Sequence, residues 1–375
     1  MRRALLLTIA AVAVLGLVAC EKKQDTIKIG VSGPITGPYA KFGEQLVRGA
    51  EMAVKNINEA GGIGGRKLEV VQGDDQCDPK QARAVANSHV NAKVSAVVGH
   101  FCSSSSIPAS EVYDEANILM ITPASTNPQV TDRGLPSVMR VCGRDDQQGD
   151  VAGDYIAKVL NAKKVAVIHD KDTYGQGLAD ATKNRLNNTH NIKEVLYEGI
   201  TRGDKDFNSL ITKMKGLGVE VIYFGGLHTE AGLMVRQARE QGLKAAFLSG
   251  DGIVTEDFPN IAGPATEGVL MTFGADPRAI PTAKEIVEQF RAAGYEPEAY
   301  TLYSYTAMQV IAEALKAKEG STDGKALAEY IKANSFSTVM GSKEFDAKGD
   351  LKVSDYVVYK WQKGDDGKIT YKQIQ

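Results

Sequence analysis

Signatures of catalysis and of metal binding are what this chain has least of. Its four cysteines include no C-x-x-C pair, and His89, His100, His169, His190 and His228 show no HExxH spacing, so nothing supports a metal centre. No G-x-S-x-G elbow is present, and neither is G-x-G-x-x-G or G-x-x-x-x-G-K-[ST], which removes the motif support for a serine hydrolase or a nucleotide enzyme. Gly61-Gly62-Ile63-Gly64-Gly65 precedes a strand pattern rather than a helix, so it reads as a helix stop and turn. Charge of one sign is also missing. With 44 basic and 46 acidic side chains and a net charge of −2, there is no electrostatic case for nucleic acid.

Long apolar runs are confined to the start. Met1-Arg2-Arg3 followed by Ala4–Val18 has the form of a signal peptide and is too short to span a membrane. It ends in Leu17-Val18-Ala19-Cys20, which has the form of a bacterial lipobox; lipidated Cys20 and an ordinary cleaved signal are the two readings, and both export the folded part. Export makes a disulfide chemically reasonable. Cys77 and Cys102 each follow a strand at one sheet edge and are expected to pair, a link worth roughly 3–4 kcal/mol. Cys142 is expected to remain a buried free thiol.

What the chain has in quantity is strand and helix patterns in alternation. Thr26–Ser32, Lys67–Asp74 and Val94–Val98 read as strands, with helices at Gly43–Ala60 and Pro79–Asn91, the latter opened by an Asp78-Pro79 start. On the first helix Leu46, Ala50, Ala53 and Ile57 form the buried face, and Glu44/Arg48 and Glu51/Lys55 are acid-first pairs facing water. Val94–Val98 and Ile118–Ile121 both stop in small hydroxyl residues: Ser103–Ser106 after Cys102, then Thr122, Ser125 and Thr126. The reading places a loop there and a helix over Ile107–Ala116. One serine of the run suits a helix N-cap. Ligands of open α/β sheets bind at the carboxyl ends of strands, and neutral hydroxyls beside a helix start suit a carboxylate.

A second series begins near Lys164 and echoes the first. Phe42-Gly43-Glu44-Gln45-Leu46 resembles Tyr174-Gly175-Gln176-Gly177-Leu178, and the loops after Val94–Val98 and Ile118–Ile121 correspond to those after Val219–Phe224 and Ala246–Leu248. Such alternation predicts an α/β fold with parallel sheets and right-handed crossovers, here duplicated into two lobes that face each other across a cleft. Helices at Pro281–Gly294, Ala299–Glu319 and Gly324–Asn334 and short strands near Lys343–Phe345 and Tyr356–Trp361 complete the reading. The tail after Trp361 reads as a solvated face.

The motifs GDDQCDPKQA, VVGHFCSSSS, ILMITPAST, VIHDKDTYGQGLA, IYFGGLHTE and VMGSKEFDAKGDLK resemble those of the bacterial branched-chain amino-acid binding proteins of ABC transporters, over essentially all of the mature chain. The resemblance implies the type I periplasmic binding fold: two Rossmann-like doubly wound lobes joined by a three-strand hinge. The expected division is a signal peptide over 1–19, a tether over 20–25, lobe 1 over 26–144 plus 275–351, and lobe 2 over 145–274 plus 352–375. It implies an amino-acid ligand, an ABC permease as partner, a monomer, a periplasmic location and no cofactor.

By the same resemblance Ser103 meets the ligand carboxylate, with Thr126 and the backbone of Ala124 completing the grip, and Asp251 meets the ammonium. Phe42 and Phe101 stand at side-chain-contacting apolar positions, Tyr174 matches the family's tyrosine after the second-lobe strand, with capping of the following helix as its other reading, and Tyr300 matches an aromatic on a later helix. Two departures matter: Asp251 stands where the family commonly has glutamate, and Leu227 where leucine receptors carry tyrosine. A zwitterion needs donors at one end, an acceptor at the other and an apolar box between, and these residues supply all three. A receptor for a γ-amino acid or short amide, a sensory subunit and, more remotely, a serine hydrolase are the competing readings.

Overall fold

The computed structural model describes residues 26–364 and 367–375, so the signal peptide, the tether and Cys20 lie outside the described residues. The first series runs β1 (Ile27–Gly33), α1 (Ala40–Glu59), β2 (Leu68–Asp74), α2 (Pro79–Asn91), β3 (Ala96–Val98), α3 (Ser103–Glu115), β4 (Leu119–Thr122), α4 (Gln129–Asp132) and β5 (Val138–Arg140). The second runs α5 (Asp145–Lys158), β6 (Val165–His169), α6 (Thr173–His190), β7 (Leu196–Gly199), α7 (Asn208–Leu217), β8 (Val221–Gly225), α8 (His228–Glu240), β9 (Ala246–Ser249), α9 (Asp257–Ala262) and β10 (Leu270–Gly274). Then follow α10 (Lys284–Ala292), α11 (Ala299–Ala317), α12 (Gly324–Ala333), β11 (Ser335–Thr338), β12 (Gly341–Glu344), β13 (Tyr356–Lys363) and β14 (Ile369–Gln373).

The two lobes share one topology. The first sheet has the order β2-β1-β3-β4-β5, every pair parallel. The second, read from its β7 edge, has β7-β6-β8-β9-β10, again parallel, before β13 and β14 add on antiparallel. The apolar runs β3, β4, β6 and β8 are buried throughout, as strands covered on both faces must be. The chain passes between lobes three times: from β5 to α5, from β10 back to α11, which packs along α1, and from β12 to β13. The backbones of α1 and α11 approach closely at Gly49, where a Cβ would lie 2.1 Å from the Thr301 carbonyl oxygen.

The repeat read in the sequence has a structural cause. Gly43 and Gly175 each sit in the first turn of the helix that follows the first strand of a lobe, where a Cβ would meet Pro34 O at 2.2 Å and Asp170 Oδ1 at 2.2 Å. The α2 start behaves as expected: the Asp78 side chain accepts from the N–H groups of Lys80 and Gln81, both at 2.8 Å. The Cys77–Cys102 disulfide is present, with Cα atoms 5.5 Å apart, and Cys142 is a buried free thiol.

Several expectations need correction. The serine run is no loop: Ser103–Ser106 form the first turn of α3, and the N-cap is Cys102, whose side chain makes no capping bond. The backbone tightens into a helix there because the disulfide and the buried carbonyls around His100 set its start, a constraint absent from local periodicity. Likewise α1 starts at Ala40, so Phe42 is a helical rather than a loop residue. Arg48 pairs with Glu44 at 2.7 Å, but Lys55 reaches Glu59, and Glu51 accepts from Gln72 Nε2 at 3.1 Å. Ile57 is only half-buried. The tail after Trp361 is no mere solvated face, because β14 pairs with β13 there; its polar alternation hid an edge strand.

Candidate functional site

Every candidate residue sits at or just beyond the carboxyl end of a strand, or on a helix that abuts those ends. Phe101 and Ser103 follow β3, Ala124 and Thr126 follow β4, Tyr174 opens the helix after β6, Leu227 follows β8 and Asp251 follows β9. Tyr300 lies in the first turn of α11. Seven of the nine, Phe101, Ser103, Ala124, Tyr174, Leu227, Asp251 and Tyr300, line one cavity between the lobes, of about 10 Å³. Thr126 instead lines an adjoining cavity of about 80 Å³ that shares Asp251 and Tyr300 and is walled by the three hinge segments near Cys142, Gly274 and Ser354. Phe42 lines neither. It stacks on Phe101, ring centroids 4.3 Å apart and planes 15° apart, and so backs the wall that Phe101 forms. Phe101 meets Tyr300 edge-on at 5.1 Å, a favoured aromatic geometry.

The first lobe presents neutral groups, several of them satisfied from behind, while Thr126 Oγ1 is buried without a hydrogen-bond partner. The His100 carbonyl accepts from Thr122 Oγ1 (2.7 Å), Ser125 Oγ (3.1 Å) and Ser106 Oγ (3.2 Å), which ties the start of α3 to the loop after β4. Ser106 is therefore a structural staple. Ser103 Oγ accepts from Asn127 N–H at 3.2 Å, which leaves its proton available to donate. Ala124 N–H donates to Thr122 Oγ1 at 3.2 Å, so the backbone group left there is the carbonyl, an acceptor that suits an ammonium and does not complete a carboxylate grip as expected. Helix starts carry partial positive charge and unpaired N–H groups, so Ser103 at the head of α3 faces the cavity with donor character.

The second lobe presents a carboxylate. Asp251 is 3% exposed; its Oδ1 accepts from Tyr174 Oη (2.8 Å) and its Oδ2 from Tyr300 Oη (2.6 Å). The Gly252 N–H donates in turn to Tyr174 Oη at 2.9 Å, and Tyr300 N–H to Gln45 Oε1 at 2.9 Å, so both phenols are held in place. Burial raises the Asp251 pKa, opposed by the hydroxyls of Tyr300 and Tyr174 and by Gln148. Asp145, one residue past the first crossover, is fully buried with both oxygens unpartnered; its pKa is raised well above the usual range by burial and by the charge of Asp251. No Lys, Arg or His among the described residues forms an ion pair with Asp251. A carboxylate buried among neutral donors alone is poised to gain from a cation.

Sequence reasoning missed Asn127, Gln45, Gln148 and Arg140. Asn127 adjoins the hydroxyl loop, donates from Nδ2 to the Thr173 carbonyl of the other lobe at 2.8 Å, and was within reach of motif reading. Arg140 had a visible signal too, a charge inside the apolar run Val138-Met139-Arg140-Val141. Four of the five histidines are buried, at His89, His100, His169 and His228, and no group of residues fit to hold a metal occurs among the described residues. His100 Nδ1 bonds Asp75 Oδ2 at 2.6 Å beneath the disulfide, a structural role.

Comparison with known proteins gives a consistent picture. A profile described as periplasmic binding protein matches residues 26–368. An amino acid binding protein of Pseudomonas aeruginosa is 61% identical over 372 residues, 98% of this chain and 97% of its own. A Leu/Ile/Val-binding protein homolog of Brucella suis biovar 1 is 52% identical over 374 residues, the whole of both chains. Among solved structures, a branched-chain amino acid transporter substrate binding protein from Streptococcus pneumoniae, in complex with isoleucine, has a TM-score of 0.82 at 30% identity and covers 93% of this chain and 99% of that one.

Proposed function

Because this chain belongs to the periplasmic binding protein family, we propose that it captures a free amino acid between its lobes and delivers it to an ABC-type permease. One observation carries the reading: Ser103 from the first lobe and Asp251 from the second line the same interlobe cavity. Donors on one side suit a carboxylate, a cation-seeking acid on the other suits an ammonium, and Phe101, Leu227 and Tyr300 supply the apolar box. The ligand's two charged ends are gripped by different lobes, so binding favours the closed arrangement over the open one, the differential interaction that closure requires.

A cavity of about 10 Å³ holds on the order of one water, so admitting an amino acid requires the lobes to part or Phe101 to shift. The apolar lining of Phe101, Leu227 and Tyr300 suits a branched-chain or other small aliphatic side chain, while Leu227 in place of a phenol and the shorter acid Asp251 change the pocket's depth and hydrogen bonding relative to leucine receptors. The lobes divide at 26–144 plus 275–351 and 145–274 plus 352–375; the protein acts as a monomer in the periplasm, without nucleic acid and without catalysis, and Cys20 is the site of a lipid anchor if the signal is of the lipoprotein type. No helix among the described residues is long and apolar enough to cross a membrane.

Calorimetric titration with leucine, isoleucine, valine, alanine, γ-amino acids and short amides tests the reading. Saturable binding of at least one amino acid is expected; heat from none of them would overturn it. Intact-mass measurement of protein recovered from membranes decides the state of Cys20.

A further inference from the structure

We infer that Arg140 is a positioning residue for the ligand grip: its guanidinium locks the Ser125–Asn127 loop to the hinge, so that the loop and the closing motion of the lobes move as one. The consequence for affinity rests on the amino-acid-binding reading; the geometry does not.

Arg140 ends β5, is fully buried, and stands directly before the first crossover. Its Nη1 donates to Ser125 O at 2.8 Å and its Nη2 to Asn127 O at 3.1 Å and to Thr131 Oγ1 at 2.7 Å. Its Nε donates to Asp350 Oδ1 at 2.6 Å, and its backbone N–H to Gly349 O at 3.0 Å. Gly349 and Asp350 lead into the third crossover. Asp350 Oδ2 accepts from Arg144 Nη1 at 2.7 Å, and Arg144 belongs to the first crossover, so one carboxylate ties two of the three hinge strands together.

The two carbonyls held by Arg140 flank Thr126, and the same loop carries Ala124 and the Asn127 N–H that meets Ser103. From Asn127 the chain of contacts continues to Thr173 across the cleft, next to Tyr174, which donates to Asp251. Arg140 thereby joins the hinge to the hydroxyl loop, and the Asn127 side chain carries the link from that loop toward Asp251. Only a planar fork satisfies two carbonyls and a carboxylate at once; a lysine ammonium has the charge but not the geometry. Arg140, the loop it holds and Asp350 all belong to lobe 1, and Asp350 carries the link on to the first crossover through Arg144.

The test compares full-length R140K, R140M and the double variant R140M/D350N with wild type. Removing both members of a buried pair leaves less uncompensated charge than removing one, so thermal stability should recover in the double variant relative to R140M. Affinity for L-valine, L-isoleucine and L-alanine should stay reduced by about tenfold or more in all three, the size of a typical coupling between distant elements. Amide hydrogen exchange of residues 124–127, measured without ligand, should speed up in every variant. Affinity that returns in step with melting temperature would show a merely structural residue and overturn the inference, as would unchanged exchange of the loop. If wild type binds none of the amino acids, the functional reading fails by itself, and the exchange measurement still decides whether Arg140 holds the loop.

Discussion

The two lobes carry the same strand order yet present different chemistry to the cleft, and they do so at different energetic cost. In the first, the polar groups at the cleft are neutral and, Thr126 Oγ1 apart, mostly satisfied from behind: three hydroxyls converge on the His100 carbonyl, and Ser103 is steadied by Asn127 N–H. In the second, a full carboxylate is buried, held by a phenol from its own lobe and another from across the cleft. Neutral donors can wait in a buried site at little cost, whereas a carboxylate there is strained until a cation arrives. The scaffold therefore sets where loops converge, and the loop residues set which charge each side wants.

The comparison breaks most readily at the acid. Asp251→Ala should weaken amino-acid binding by about 2–5 kcal/mol, because the ammonium would be left desolvated and unpaired; calorimetry showing wild-type affinity would remove Asp251 from the site. Ser103→Ala should cost less, about 1.5–3 kcal/mol, the range for a hydrogen bond to a charged group. An effect on Ser103 larger than that on Asp251 would invert the assignment of the two ends. Tyr300→Phe removes one of two phenols from Asp251 and should cost about 1 kcal/mol in affinity while leaving selectivity among side chains alone; altered selectivity would mean the phenol touches the ligand itself.

The smallest effect concerns pH. Glu298, at the start of α11, accepts at Oε2 from Gln45 Nε2 (3.3 Å) in its own lobe and from Glu256 N–H (3.1 Å) in the other. Burial pushes it up to about 7, against the opposing backbone bond from Glu256. A raised carboxyl pKa means the folded, closed form binds the proton more tightly, so this contribution to stability is complete below about 4.5 and disappears as pH rises through 7. Buried His89 and His228, pushed down to about 4, work the other way but only below their ordinary 6.5. Melting temperature should therefore fall from pH 6.5 to 8 in wild type and fall less in Glu298→Gln; equal slopes would show that the interlobe contact does not hold the proton.

Much of this molecule could be read before its coordinates. The Asp78-Pro79 start, the duplicated glycine-led helices and the cysteine pairing depend on residues close together or on one sheet edge, and all appear in the structure. Four consecutive hydroxyl residues give no helical periodicity and so predict a loop; tertiary bonds to His100 override that local preference. The motif places Phe42 in the cleft, but an earlier helix start turns it onto the back of Phe101.

The chain's own order of residues determined the α/β alternation, the doubling of the lobe and the placing of polar residues at strand ends. These follow from apolar periodicity and turn chemistry, which act over a few residues. Only the folded chain decided that the serine run winds into the first turn of α3, that phenols 77 and 49 positions away clamp Asp251, and that Arg140 finds its carboxylate 210 positions on. Those choices depend on how two packed lobes meet at a hinge, and no local pattern encodes the angle at which they do.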